Sequence, residues 1–188
     1  GEGHPTIADD VYPPWWDGPD DLKDGLYISR DTSGSQAAEA MILWTTFPRS
    51  EHARPCLLDP SAASSPADLA DAVATAPGTE LVRGPADVTI GGQAAKQVVV
   101  TVAPDAFLEM VSGGARTRTM GCDPGYFFGW EAGDAGAFWQ ETLPGDTIGV
   151  WIVGVDGRLL FIEAATHPEA GAAVQQEIED IIGSVSFG

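Results

Sequence analysis

The strongest pattern in the chain covers residues 147–165, where two apolar segments flank Asp156-Gly157. An Asp-Gly pair accepts positive φ at both central positions of a type I′ turn, so this stretch predicts a tight β-hairpin. Setting Val155 opposite Arg158 places Trp151, Val153, Leu160 and Ile162 on one face and Val150, Ile152, Leu159 and Phe161 on the other. Both faces are apolar. A strand pair with no wet side must be covered twice, which favours an antiparallel sheet between helices or under a second layer. One cover can be read directly: Val174, Ile178, Ile181 and Ile182 recur at helical spacing, while Gln175, Gln176, Glu177, Glu179 and Asp180 fill the opposite side. Pro168 suits the first turn of that helix and Gly183 its end, and residues 184–187 alternate like a closing edge strand.

Upstream, residues 1–14 lack apolar periodicity and carry Pro13 and Pro14, so they are expected to form a flexible lead-in to a single domain over residues 15–188. Residues 15–24 read as two tryptophans before a polar turn, and strands are expected at 26–30 and 40–47 with a loop from Asp31 between them. Ser65, Pro66 and Asp68 mark a helix start: Ser65 can cap, Pro66 has the φ of the first turn, and Asp68 complements the helix N-terminus. Pro77-Gly78 is expected to stop this helix. A strand at 87–90 turns at Gly91-Gly92 into a valine-rich partner at 96–102, and residues 111–119, with Arg116 and Arg118, read as an exposed loop or charged edge.

Composition narrows the function classes. A chain of 188 residues can bury roughly 70% of its unfolded surface, and six tryptophans with seven phenylalanines supply a core. The net charge of −19 repels polyanions, which argues against nucleic acid and anionic membrane surfaces as partners. No run approaches the about 20 apolar residues of a membrane span. The chain opens at Gly1 without a signal-peptide pattern and reads as a mature or trimmed secreted fragment, any signal or lipid anchor lying upstream.

Cys56 and Cys122 belong to no C-x-x-C or Cys/His cluster, so they read as one structural disulfide in an oxidising compartment, with two buried free thiols as the alternative. Closing so long a loop removes about 4 kcal/mol of unfolded-state entropy in the chain-entropy model. His4, His52 and His167 have no metal-ligand spacing and read as solvated or capping residues. Asp17, Asp20, Asp21 and Asp24 lack the alternating order of a Ca²⁺ loop and read as a solvated turn, and no metal or cofactor is expected. Nucleophile-elbow, zinc-protease, Walker and dinucleotide motifs are all missing from the sequence.

The densest candidate chemistry is aromatic: Tyr126, Phe127, Phe128, Trp130, Phe138, Trp139 and Trp151, interleaved with Glu131, Asp134 and Glu141. Aromatic walls beside carboxylates suit a sugar ring or an organic cation, and the candidate ligand-binding residues are Tyr126, Trp130, Glu131, Trp139 and Glu141. The same residues can instead form a tryptophan-rich core.

Taken in order, Pro14 to Trp16, Pro55-Cys56, the helix around Asp68 to Ala74, the Asp87 to Gly92 strand and turn, Cys122, Trp130, Trp139 with Pro144-Gly145, Trp151 to Gly157 and the terminal helix ending in Ser184-Val185 resemble secreted and lipoprotein domains common in actinobacteria, similar in fold to the PsbP and Mog superfamily. The resemblance implies an α+β fold, a central antiparallel sheet covered by helices on both sides as a PsbP-like α/β/α sandwich. It implies accessory or binding roles and supplies no catalytic or metal-ligand set. The expected function is an extracytoplasmic, non-enzymatic binding or sensor domain for a small ligand or an envelope partner. A hydrolase using Glu131, Asp134 or Glu141 as acid and base, or a structural partner domain, are the alternatives.

Overall fold

The computed structural model describes residues 5–6, 20–22, 25–32, 35–45, 65–76, 78–104 and 144–187. Nine strands and two helices occur among them. In chain order they are β1 (Pro5–Thr6), β2 (Asp20–Leu22), β3 (Gly25–Thr32), β4 (Ser35–Thr45), α1 (Pro66–Ala74), β5 (Thr79–Ile90), β6 (Gln93–Val102), β7 (Thr147–Val155), β8 (Arg158–Thr166), α2 (Ala172–Gly183) and β9 (Ser186–Phe187). Seven strands form one sheet in the order β2-β3-β4-β8-β7-β6-β5, every neighbouring pair antiparallel. The fold is α+β.

The hairpin occupies the middle of this sheet. Val155 stands opposite Arg158, and both turn residues have positive φ, 49° at Asp156 and 76° at Gly157, as a type I′ turn requires. β7 is buried without a break from Ile148 to Val153. Its side chains divide by the pleat. Ile148, Val150 and Ile152 join Phe161 in a cluster with Leu69, Ala70 and Val73 of α1, whereas Trp151 and Val153 join Leu160 and Ile162 in a second cluster with Val174, Ile178, Ile181 and Ile182 of α2.

Helix α1 starts as its sequence dictates. The Ser65 hydroxyl oxygen accepts from the Asp68 backbone N–H at 3.2 Å and the hydroxyl donates to the Asp68 carboxylate at 2.8 Å, with Pro66 in the first turn. Helix α2 departs from expectation. It begins at Ala172 instead of Pro168, because the Ala170 N–H closes a turn onto the His167 carbonyl at 2.9 Å and Gly171, with φ 31°, then redirects the chain.

Other boundaries also moved. β5 begins at Thr79 and passes through Gly84 and Pro85, residues tolerated because β5 is the last strand of the sheet order and its pairing is bulged there. The run expected to be a polar turn contains β2, with Asp20 opposite Tyr27. Two residues of the expected lead-in, Pro5 and Thr6, pair with Phe187 and Ser186. No helix among the described residues is long and apolar enough to cross a membrane.

Candidate functional site

A cleft of about 90 Å³ lies between α2 and the end of the sheet it covers. Its floor follows from register. Val99 of β6, Gly149 of β7 and Ala164 of β8 stand side by side across three strands, and beside them run Gln97 with Trp151 on one flank and Thr147 with Thr166 on the other. Gly149 and Ala164 are too small to fill the space under a helix. Trp151 takes part of it: a Cβ built on Gly149 would lie 2.8 Å from Cη2 of the indole, so the ring rests on the glycine. Gln175, Ile178 and Glu179, which share one face of α2 at helical spacing, form the opposite wall.

Arg83 reaches this face through a bulge. Leu81 is opposite Val100 and Arg83 is opposite Val99, so a residue is gained between them and Arg83 changes from the α1 side of the pleat to the α2 side. Close backbone contact accompanies the shift: a Cβ on Gly84, whose φ is 102°, would fall 2.5 Å from the Gln97 carbonyl oxygen. With its amide oxygen turned toward both donors, Gln97 accepts from Arg83 Nη2 and Trp151 Nε1, each at 3.1 Å. One side chain thus fixes both the cation and the indole.

At the far end of β7, the chain enters through a pinned turn. The Asp146 carbonyl accepts from the Val102 N–H at 2.9 Å and from the Thr101 hydroxyl at 2.9 Å, and the Gly145 N–H donates to the Val102 carbonyl at 2.9 Å. The Asp146 carboxylate is buried and accepts from His167 Nδ1 at 2.7 Å. His167, read from sequence as solvated or capping, is therefore half-buried and paired.

Most of the residues chosen from sequence are not among the described ones. Tyr126, Trp130, Glu131, Trp139 and Glu141 lie outside the described residues, as do Asp134, His4, His52, Cys56 and Cys122. Of the aromatic constellation, Trp151 alone is described, and it lines the cleft. No sequence pattern marks Arg83, Gln97, Thr147, Thr166 and Glu179 as a group. A signal for part of it exists: Gly149 and Trp151 are alternate residues of an apolar run, and Gln97 interrupts the valine-rich strand that pairs with them. Among the described residues no three His, Cys, Asp or Glu side chains gather as a metal site.

No protein-family model matches the chain, and no curated protein sequence matches it either. Among solved structures it is similar to LpqN, a protein involved in cell envelope biogenesis of Mycobacterium tuberculosis, with 12% identity and a TM-score of 0.51 over 100% of this chain and 86% of LpqN. Cyanobacterial PsbP from Synechocystis aligns with 10% identity and a TM-score of 0.44, over 99% of this chain and 92% of its own. The likeness to LpqN is one of fold.

Proposed function

We propose that the chain is an extracytoplasmic, non-enzymatic binding or sensor domain, a PsbP-like α/β/α sandwich that holds a small ligand under α2. The observation that carries this reading is the cleft itself, where Gly149 and Ala164 leave room beneath a helix and Gln97 holds Arg83 and Trp151 at its edge. Sites of this kind combine an apolar floor with a few polar groups that fix orientation. The fold likeness to an envelope-biogenesis protein supports an envelope setting. On sequence grounds alone, Tyr126, Trp130, Glu131, Trp139 and Glu141 are a further proposed contact set, an envelope protein is the alternative partner, and Cys56 and Cys122 are proposed to be bridged. Peptide mapping without reductant checks the bridge, which fails if both thiols alkylate in the native protein.

The test of the binding reading is a thermal-shift screen of sugars, amino acids, quaternary amines and divalent cations. It compares the natural sequence with Gly149→Ala, whose added methyl must displace Trp151. A ligand of the cleft raises the melting temperature of the former and not the latter, by linkage worth about 2.7 kcal/mol at one hundred times its dissociation constant. If every stabilising compound acts equally on both proteins, the cleft is not the binding site.

A further inference from the structure

The two sides of the cleft carry opposite charges that do not meet. Arg83 comes from β5 and Glu179 from α2; both line the cleft, both are exposed, and neither forms an ion pair among the described residues. Arg83 spends one N–H on Gln97, which anchors the guanidinium without neutralising it and leaves donors for a carboxylate. The rest of the polar lining is neutral: the hydroxyls of Thr147 and Thr166, the amides of Gln97 and Gln175, and the Trp151 indole.

Four kinds of small ligand can be weighed against this arrangement. An anion alone would satisfy Arg83 but approach a chain of net charge −19 and lie near Glu179. A cation alone would be drawn in by the net charge and then meet Arg83. A neutral polyol would take water from both charged groups without replacing it by a counter-charge. A zwitterion answers both groups at once and, being neutral overall, is not repelled by the net charge.

We infer that the cleft binds a small zwitterion of the amino-acid class, its carboxylate on Arg83 and its ammonium on Glu179. This rests on the proposed binding role of the cleft. The volume of about 90 Å³ is well below that of drug-sized sites, which suits a molecule of a few heavy atoms.

The experiment uses the whole chain labelled with ¹⁵N at its tryptophans, the Trp151 indole signal being assigned by its loss in Trp151→Phe. Glycine, β-alanine and γ-aminobutyrate, which separate the two charges progressively, are titrated in parallel with acetate and ethylammonium. At least one zwitterion is expected to move the Trp151 signal and to bind about tenfold tighter than either single-charge probe, with Arg83→Gln and Glu179→Gln each weakening it by about tenfold, the scale of one lost charge-assisted contact. Acetate or ethylammonium moving Trp151 as strongly as the best zwitterion overturns the zwitterion and leaves the binding role standing. Silence from all five probes also overturns it, and the thermal-shift screen then decides the binding role independently.

Discussion

The Trp151 indole lies on Gly149, two residues back along the same face of β7, so closely that a Cβ at position 149 would sit 2.8 Å from Cη2 and 3.0 Å from Cζ3. Neither partner can yield freely, because the ring is buried and its N–H is held by Gln97. Gly149→Ala is therefore expected to cost about 1–3 kcal/mol as an overpacked core change and to shift tryptophan emission. Urea denaturation followed by fluorescence measures both, and an unchanged midpoint would mean that the ring moves aside at no cost.

Burial on the α1 side sets a second expectation. Phe161 is fully enclosed in the cluster that includes Leu69 and Val73, so Phe161→Ala should destabilise the protein by about 3–5 kcal/mol. Leu81, half exposed on the outermost strand, is the control, and Leu81→Thr should stay within about 0.5 kcal/mol. Comparable losses at both positions would contradict the assignment of the core.

Gly157 separates backbone from packing. A Cβ there meets nothing within 4 Å, yet φ is 76°. Gly157→Val should cost about 1–2 kcal/mol from the left-handed conformation alone, whereas Gly157→Asn should be milder, since asparagine visits that region. Equal denaturation midpoints for the two variants would remove the type I′ turn as the explanation.

His167 is the fourth case. Removing its imidazole takes a charge-assisted hydrogen bond from a buried carboxylate, so His167→Ala should lower stability by about 1–3 kcal/mol. The turn that Asp146 pins to β6 should loosen with it, seen as faster hydrogen exchange at the Val102 amide, which bonds the Asp146 carbonyl. Unchanged exchange at Val102 would confine the role of the pair to the surface.

What could be read from the amino acids was local. Asp156-Gly157 and the paired apolar faces give the central hairpin with its register, and Ser65-Pro66 with Asp68 gives the start of α1, because each depends on residues within a few positions of one another. The placement of Arg83 depends on two register shifts in β5, and a bulge leaves no periodic trace when one side of the strand is exposed. Pro168 reads as a helix start because proline fits a first turn; in the fold it sits in the turn before Gly171. The cleft was half legible. Trp151 stands out in the sequence by its size, but its partner Gln97 is brought to it by pairing between strands more than fifty residues apart in sequence.

The β1–β9 pair joins two segments far apart in sequence, Pro5 facing Phe187 and Thr6 facing Ser186. Because the pair is antiparallel, a tension applied through residues 5 and 187 pulls on the same end of both strands. Its hydrogen bonds, which run across the strands, then open one after another like a zipper and do not share the load in shear. Phe187, whose ring would lie 2.7 Å from a Cβ on Gly91, would be drawn off the β5–β6 turn as the clasp opens. β8, bonded on both sides by β4 and β7, carries no part of that force until then. Mechanically, the β1–β9 pair is a weak latch that shields a stiff plate, so that tension applied at residues 5 and 187 would open the latch at low force while the sheet and the cleft beneath α2 stayed assembled.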